Sequence, residues 1–137
     1  MQSVRFPYTD SEHSRPGLTS MPFLPLTLTY REHEISATGL LDSGAAVNVL
    51  PYSVGESLGF VWEEQQTALV LSGNLAHFPS RGVLVSVAVA HFAPARLAFA
   101  WTQSDAVPLL LGQTNFFQEF EVCFFRSLLT FEIKPNR

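Results

Sequence analysis

The segment that decides the fold reads ATGLLDSGA over residues 37–45. Its apolar part ends at Leu41 and runs directly into the triplet Asp42-Ser43-Gly44, after which small alanines follow. Alone, such a triplet is typical of a hairpin loop, because Asp, Ser and Gly are ordinary turn residues. The apolar flanks are less ordinary, since a carboxylate beside them is costly to bury unless its charge is used or shared. The pattern therefore makes Asp42 a candidate catalytic carboxylate.

Period-two alternation predicts strands on both sides of this segment. Leu24, Leu26, Leu28 and Tyr30 alternate with smaller or polar residues, which is typical of a half-buried strand. The same reasoning predicts further strands at 35–41, 47–50, 67–71, 83–89, 96–101, 108–111, 121–125 and 128–133. Short helices are predicted at 51–58, with Gly59 after its C-terminus, and at 113–118, with Thr114 as a candidate N-cap. Many short strands and two short helices indicate an all-β barrel or sandwich.

Length and composition narrow the function classes. A chain of 137 residues fits one domain, and 47% of its residues are hydrophobic. The net charge of −4 does not suit a nucleic-acid partner, because binding to a phosphate backbone requires basic surfaces. No apolar stretch approaches the roughly 20 residues of a membrane span, and no export signal opens the sequence, so we expect a soluble, cytoplasmic protein without a membrane partner.

Histidine and cysteine are the residue types that bear on metal or redox chemistry in this sequence. The four histidines at 13, 33, 77 and 91 lack metal-ligand spacing, so neither a metal nor another cofactor is expected. The single cysteine, Cys123, lies between Val122 and Phe124 in an apolar run. We therefore expect a buried thiol rather than a reactive one.

Residues 37–45 resemble the active-site segment of retropepsins and of retropepsin-like cellular domains. In that family the segment is an apolar strand that ends in Asp-Thr/Ser-Gly-Ala. A second element, VPLLLG at residues 107–112, resembles the apolar strand that crosses the active-site loop in that family. Residues 113–117 suit the short helix that follows it, and residues 129–133 resemble the terminal strand. The resemblance implies a single closed acid-protease β-barrel domain with one or two short helices over residues 22–137. Residues 1–21, polar and without a sustained period, are then expected to form an extended N-terminal arm.

The resemblance also implies the chemistry. In the family two carboxylates face each other, share a proton and activate one water for attack on a peptide carbonyl. This chain has one such triplet and is too short for a two-lobed arrangement, so the second Asp42 would come from a second copy in a two-fold homodimer. Ser43 would brace the paired loops across the axis, and Gly44 would keep the water site open.

A flap that covers a peptide or protein substrate is expected between the two motifs, because water has to be excluded around the substrate. The candidate is the segment from Val70 to Pro79, with Gly73 and Asn74 at a hairpin tip. Apolar walls predict apolar substrate side chains beside the cleaved bond. The residues expected to contact substrate are Ala45, Leu71, Gly73, Asn74, Leu75, Phe78 and Leu110.

Two alternatives compete with a protease. A serine hydrolase built on Ser43 is disfavoured, because the Gly-x-Ser-x-Gly elbow is missing and no histidine is suitably placed. The stronger alternative is a catalytically inactive retropepsin-like module that serves as a dimerisation or peptide-binding platform. Gln113 favours it, since many family members have a charged stretch at this point, whereas the intact Asp42-Ser43-Gly44 triplet counts against it.

Overall fold

A computed structural model describes residues 2–10, 20–71 and 77–136. Within these ranges the strands are β1 (Val4–Pro7), β2 (Phe23–Tyr30), β3 (His33–Leu41), β4 (Asn48–Leu50), β5 (Ala68–Leu69), β6 (Ser80–Ala88), β7 (Ala95–Thr102), β8 (Leu110–Leu111), β9 (Phe120–Phe125) and β10 (Thr130–Pro135). The helices are α1 (Tyr52–Ser57) and α2 (Phe116–Glu119). Single 3₁₀ turns lie at Trp62–Glu64 and Arg126–Leu128. No helix in the described ranges has the length and apolar character needed to cross a membrane.

Six strands form a closed barrel in the order β2-β3-β8-β4-β7-β6, and pairing of β2 with β6 closes it. The short strand β5 extends this sheet beside the first residues of β6. Most neighbours are antiparallel, but β8 runs parallel to β3 and β4 runs parallel to β7. The predicted closed all-β barrel with two short helices is therefore confirmed.

The alternation that predicted β2 places its leucines inside the barrel. Leu24 and Leu28 are fully buried, and Leu26 is nearly so, against the inward-facing valines of β6 and against Phe99 and Trp101 of β7. Removing this apolar surface from water is the main force that closes the sheet. Gly39 of β3 permits a close approach, because a Cβ there would lie 2.8 Å from Leu111 Cδ1 and 2.9 Å from Leu109 Cδ2.

A second sheet of three strands, in the order β1-β10-β9, contains both ends of the described chain. Phe131 and Ile133 of β10 are fully buried on its inner face, and Phe6 of β1 stacks on Phe131 with ring centroids 5.5 Å apart. Within the segment predicted to be an extended arm, Val4–Pro7 thus pairs as a strand with β10 of its own chain. The boundary between residues 21 and 22 stays a prediction.

Three local expectations were wrong. Cys123 is exposed, because it lies on the outer face of β9 opposite Glu132, while the neighbouring Val122 packs against the core. Asn115, not Thr114, precedes the second helix, which is limited to Phe116–Glu119. The strand expected at 67–71 is reduced to Ala68–Leu69.

Candidate active site

Asp42 lies at the point where β3 ends and the chain turns toward β4. Its backbone N–H donates to the Leu111 carbonyl (3.0 Å), and its own carbonyl accepts from the Ala45 N–H (3.0 Å). The carboxylate is held by the loop itself, since the Gly44 N–H donates to Asp42 Oδ1 (2.9 Å). These three bonds turn residues 42–46, hereafter the Asp42 loop, back on itself and direct the carboxylate along the end of the barrel.

The apolar strand predicted to cross this loop does so. Strand β8 lies between β3 and β4, and it continues into Gly112 directly behind the Asp42 loop. A Cβ at Gly112 would lie only 2.5 Å from the Val47 carbonyl oxygen and 2.8 Å from that of Ala45, so glycine is required for the crossing. Beyond it, the backbone N–H groups of Gln113 and Thr114 donate to the carbonyls of Ala45 (2.9 Å) and Ala46 (2.8 Å).

A cavity of about 450 Å³ opens beside the carboxylate. Asp42 and Gly44 line its polar end, and the remaining wall is alanine, valine and leucine: Ala45, Ala46, Val47, Val49, Val70, Leu71 and Leu110. A carboxylate at one end of an otherwise apolar cleft is the usual arrangement of a site that binds an apolar chain and performs acid–base chemistry on it.

The structure brings together some of the residues expected to contact substrate. Ala45, Leu71 and Leu110 line the same cavity as Asp42. Phe78, near the end of the proposed flap segment, does not line the cavity and is about one third exposed. Gly73, Asn74 and Leu75, which include the expected flap tip, fall in residues 72–76, outside those that the structure describes.

Sequence reasoning missed three valines of the wall. Val47 and Val49 could have been found, because they continue the alternation that begins at Ala45 and so point to the same side of the chain. Val70 stands almost fully exposed at the cavity edge, and nothing in the sequence distinguishes it from its neighbour Leu69.

Sequence reasoning also missed the side-chain amides behind the site. Asn48 is fully buried; its Oδ1 accepts from the Gly112 N–H (2.8 Å) and its Nδ2 donates to the Ala98 carbonyl (3.0 Å). Gln113 Nε2 donates to the Ser43 carbonyl (2.7 Å). An isolated amide in a strand pattern is no signal by itself, because its partners lie 50 to 70 residues away.

Two polar groups of the Asp42 loop are available for chemistry. Among the described residues no hydrogen bond reaches Asp42 Oδ2 or the Ser43 hydroxyl. Ser43 and Gly44 are exposed, whereas Asp42 is only partly so. One carboxylate oxygen is thus fixed by Gly44, while the other is available to water, to a substrate or to a second carboxyl group.

Comparisons with known proteins agree with this geometry. Residues 27–114 match the aspartyl protease family, a span that begins within β2 and includes the Asp42 loop and the strand that crosses it. No curated protein matches the sequence.

Two solved structures are similar to the whole arrangement. A retropepsin-like aspartic protease from Rickettsia conorii is 12% identical with a TM-score of 0.61, and the match covers 96% of this chain and 92% of that one. EIAV protease complexed with the inhibitor HBY-793 is 17% identical with a TM-score of 0.50, and the match covers 72% of this chain and 88% of that one. At such identities the likeness establishes a shared fold.

Proposed function

This chain belongs to the aspartyl protease family, and we propose that it hydrolyses peptide bonds as one half of a homodimer whose active site pairs Asp42 with the Asp42 of a second copy. The observation that carries the proposal is the state of the carboxylate. One oxygen is held by the Gly44 N–H, the other has no partner among the described residues, and an apolar cleft lies beside it.

A second carboxyl group at contact distance changes the acid–base properties of both. Two carboxyl groups at such a distance cannot both be ionised, because their like charges repel. One group therefore keeps a proton while the other acts as a base. The base removes a proton from a water molecule, which attacks the peptide carbonyl, while the acid donates to the carbonyl oxygen and a tetrahedral diol results. The carboxyl group that took the proton from water then gives it to the amide nitrogen, the C–N bond breaks to release the amine, and the other carboxylate recovers its proton from the diol as the new carboxyl product forms. Neither a metal nor a covalent intermediate is required.

The parts of the loop have separate roles in this proposal. Gly44 directs its N–H at Asp42 and leaves room for the water, and the exposed Ser43 hydroxyl can reach across the two-fold axis to brace the partner loop. Ala45, Leu71 and Leu110 would contact apolar substrate side chains beside the cleaved bond. Gly73, Asn74, Leu75 and Phe78 are proposed to belong to the flap that covers them.

The edge strand β9 is the surface we propose for the second copy. It pairs only with β10 among the described strands, and the short helix α2 connects it to β8, the strand that crosses behind the Asp42 loop. Phe124, Leu128 and Leu129 are exposed on or just after it. A free strand edge with apolar neighbours is a ready template for pairing with another chain.

Asp42→Asn tests the catalytic proposal. We expect it to abolish cleavage of apolar peptide substrates and to leave dimer formation intact, because the amide keeps the shape of the side chain but cannot share the proton. Asp105→Asn is the matched control. Asp105 accepts one hydrogen bond from the Ser53 backbone N–H, and the amide oxygen of asparagine can accept the same bond. Equal cleavage by wild type and Asp42→Asn would refute the proposal.

The dimer is tested separately. Sedimentation at micromolar concentration should show a dimer, and a strictly monomeric species would leave Asp42 without its counterpart. Cys123 is exposed on β9, so an antiparallel β9–β9 contact centred near it would allow an oxidant to cross-link the two chains. A dimer that does not cross-link would refute an antiparallel β9–β9 contact centred near Cys123.

The platform alternative predicts a dimer and peptide binding without hydrolysis. Its sequence support was Gln113, which departs from the charged pattern of many family members. In this chain Gln113 donates to the carbonyl of Ser43, so the departure keeps a direct contact with the Asp42 loop. A pepstatin-like inhibitor that blocks cleavage would separate the enzyme from the platform.

A further inference from the structure

Residues Gln113 and Thr114 run along the Asp42 loop and hold three of its carbonyl groups. Two of the contacts are made by backbone N–H groups, to Ala45 and Ala46. The third is the side-chain contact from Gln113 Nε2 to the Ser43 carbonyl at 2.7 Å. Only this third contact depends on the identity of a side chain.

The Ser43 carbonyl has a partner on the other side of its own peptide bond. Because the carbonyl of Ser43 and the N–H of Gly44 belong to one planar peptide unit, they can rotate only together. Gln113 holds the oxygen end of this unit, and its N–H end donates to Asp42 Oδ1 at 2.9 Å. A rotation that breaks one of the two hydrogen bonds therefore disturbs the other.

The backbone on both sides of Gln113 is fixed by hydrogen bonds. The preceding Gly112 N–H donates to the buried Asn48, and the Gln113 N–H donates to Ala45. On the other side, Asn115 has φ 82° and ψ −64°, a strained conformation at the centre of a γ-turn that links the Phe116 N–H to the Thr114 carbonyl at 3.2 Å. The Asn115 side chain accepts from the Ala98 N–H of β7 (2.7 Å), which ties the turn to the barrel.

We propose that Gln113 is a positioning residue for the Asp42 carboxylate, acting through the Ser43–Gly44 peptide unit. The inference rests on the proposed protease function and adds to it a group that touches neither substrate nor the reacting atoms, since Gln113 is not part of the cavity wall. The amide donor orients the peptide plane, and the plane directs the Gly44 N–H at Asp42 Oδ1. Serial hydrogen bonds of this kind also polarise one another.

Replacing Gln113 with glutamate distinguishes a role in orienting Asp42 from a general effect on the stability of the fold. A protonated glutamic acid can donate to the Ser43 carbonyl, whereas an ionised carboxylate only accepts and repels that oxygen. Glutamate ordinarily ionises near pH 4.3, so the contact should be kept at lower pH and lost above it. Alanine removes the donor at every pH.

The experiment measures kcat and KM against pH for the full-length wild type, Gln113→Glu, Gln113→Ala and the control Gln103→Glu, which adds the same charge on an exposed loop. We expect kcat of Gln113→Glu, divided by that of wild type, to fall about tenfold as pH rises through the carboxyl range, which is the size expected for one lost hydrogen bond. KM should change little. Gln113→Ala should show a reduced ratio that does not vary with pH, and Gln103→Glu should match wild type.

A ratio for Gln113→Glu that stays constant with pH, or that equals the ratio for Gln103→Glu, would overturn the proposal. The Gly44 amide proton in NMR spectra supplies a readout that does not need activity. If wild type fails to cleave, a change of this amide with pH in Gln113→Glu that exceeds the change in wild type and in Gln103→Glu would support positioning while the protease function fails. If the amide changes equally with pH in all three proteins, the positioning inference fails as well.

Discussion

The Asp42 loop and the three-stranded sheet β1-β10-β9 are held by different forces. The loop is held by hydrogen bonds from backbone N–H groups and from the neutral amide of Gln113, and the strand behind it is held by the amide of Asn48. In the sheet, Phe6 stacks on the buried Phe131, and ion pairs join the strands on the outer face. There Arg5 contacts Glu132 at 2.6 Å, and Lys134 contacts Glu121 at 3.2 Å.

The difference shows which interactions fix the geometry of the candidate active site and which stabilise the three-stranded sheet. Amide hydrogen bonds are directional and the amide groups do not titrate, so the contacts that Gln113 and Asn48 make keep their geometry over a wide pH range. Exposed ion pairs are worth at most about 1 kcal/mol and weaken with salt. Burial of the aromatic rings must therefore contribute most of the stability of the sheet, and the ion pairs contribute little.

The largest effect should come from removing the buried ring of the sheet. Phe131→Ala is expected to lower the free energy of unfolding by about 3–5 kcal/mol, because the ring is fully buried and leaves a cavity. Urea unfolding measures this value. Leu84→Ala, which shortens a leucine that is 47% exposed on β6, should cost far less. Equal losses in the two variants would show that the sheet is not part of the cooperative core.

An intermediate effect is expected where the amides hold the loop. Asn48→Leu leaves the buried Gly112 N–H and the part-buried Ala98 carbonyl without their Asn48 partner, at a cost of about 2–4 kcal/mol in the free energy of unfolding. Catalysis should fall with it, since the strand behind Asp42 loses its anchor. Asn136→Ala removes an exposed amide that donates to the Gln118 carbonyl, and it should cost less than about 1 kcal/mol. A result for Asn48→Leu as small as that of the control would mean that the loop does not depend on the amide.

The smallest effect should come from the ion pair of the sheet. The Arg5 guanidinium, by hydrogen bonding, lowers the pKa of the Glu132 carboxyl below its usual value. A lowered folded-state pKa contributes stability that is present above the usual carboxyl pKa and is lost as pH falls through the folded value. Glu132→Gln should therefore be slightly less stable than wild type at pH 7, and the difference should vanish in acid and shrink in high salt.

Urea unfolding of Glu132→Gln at neutral and acidic pH measures this dependence. Glu63→Gln, at an exposed carboxylate without an ion pair among the described residues, is the control and should differ little from wild type at either pH. If the difference between wild type and Glu132→Gln persisted at low pH, the ion pair would not be its cause.

Local pattern was enough for much of the barrel. The leucine alternation of β2 predicted which side chains fill its interior, because side chains alternate strictly across a strand and one face must be apolar. The crossing behind Asp42 came from the resemblance of ATGLLDSGA and of the LLG strand to the retropepsin segments, and the structure shows it in the close approach of Gly112 to the carbonyls of Val47 and Ala45.

The tertiary structure decided what depends on distant partners. Strand alternation could not show that Cys123 faces outward, because only the pairing of β9 with β10 selects the covered face. The docking of Val4–Pro7 on β10 joins residues more than 120 positions apart. Gln113 remained an unexplained departure in the sequence until folding placed it on the Ser43 carbonyl, 70 positions earlier in the chain. The sequence by itself indicated a candidate catalytic carboxylate and the buried face of strands such as β2, whereas the fold decided which groups hold the Asp42 loop in place, because hydrogen bonds are formed between neighbours in space.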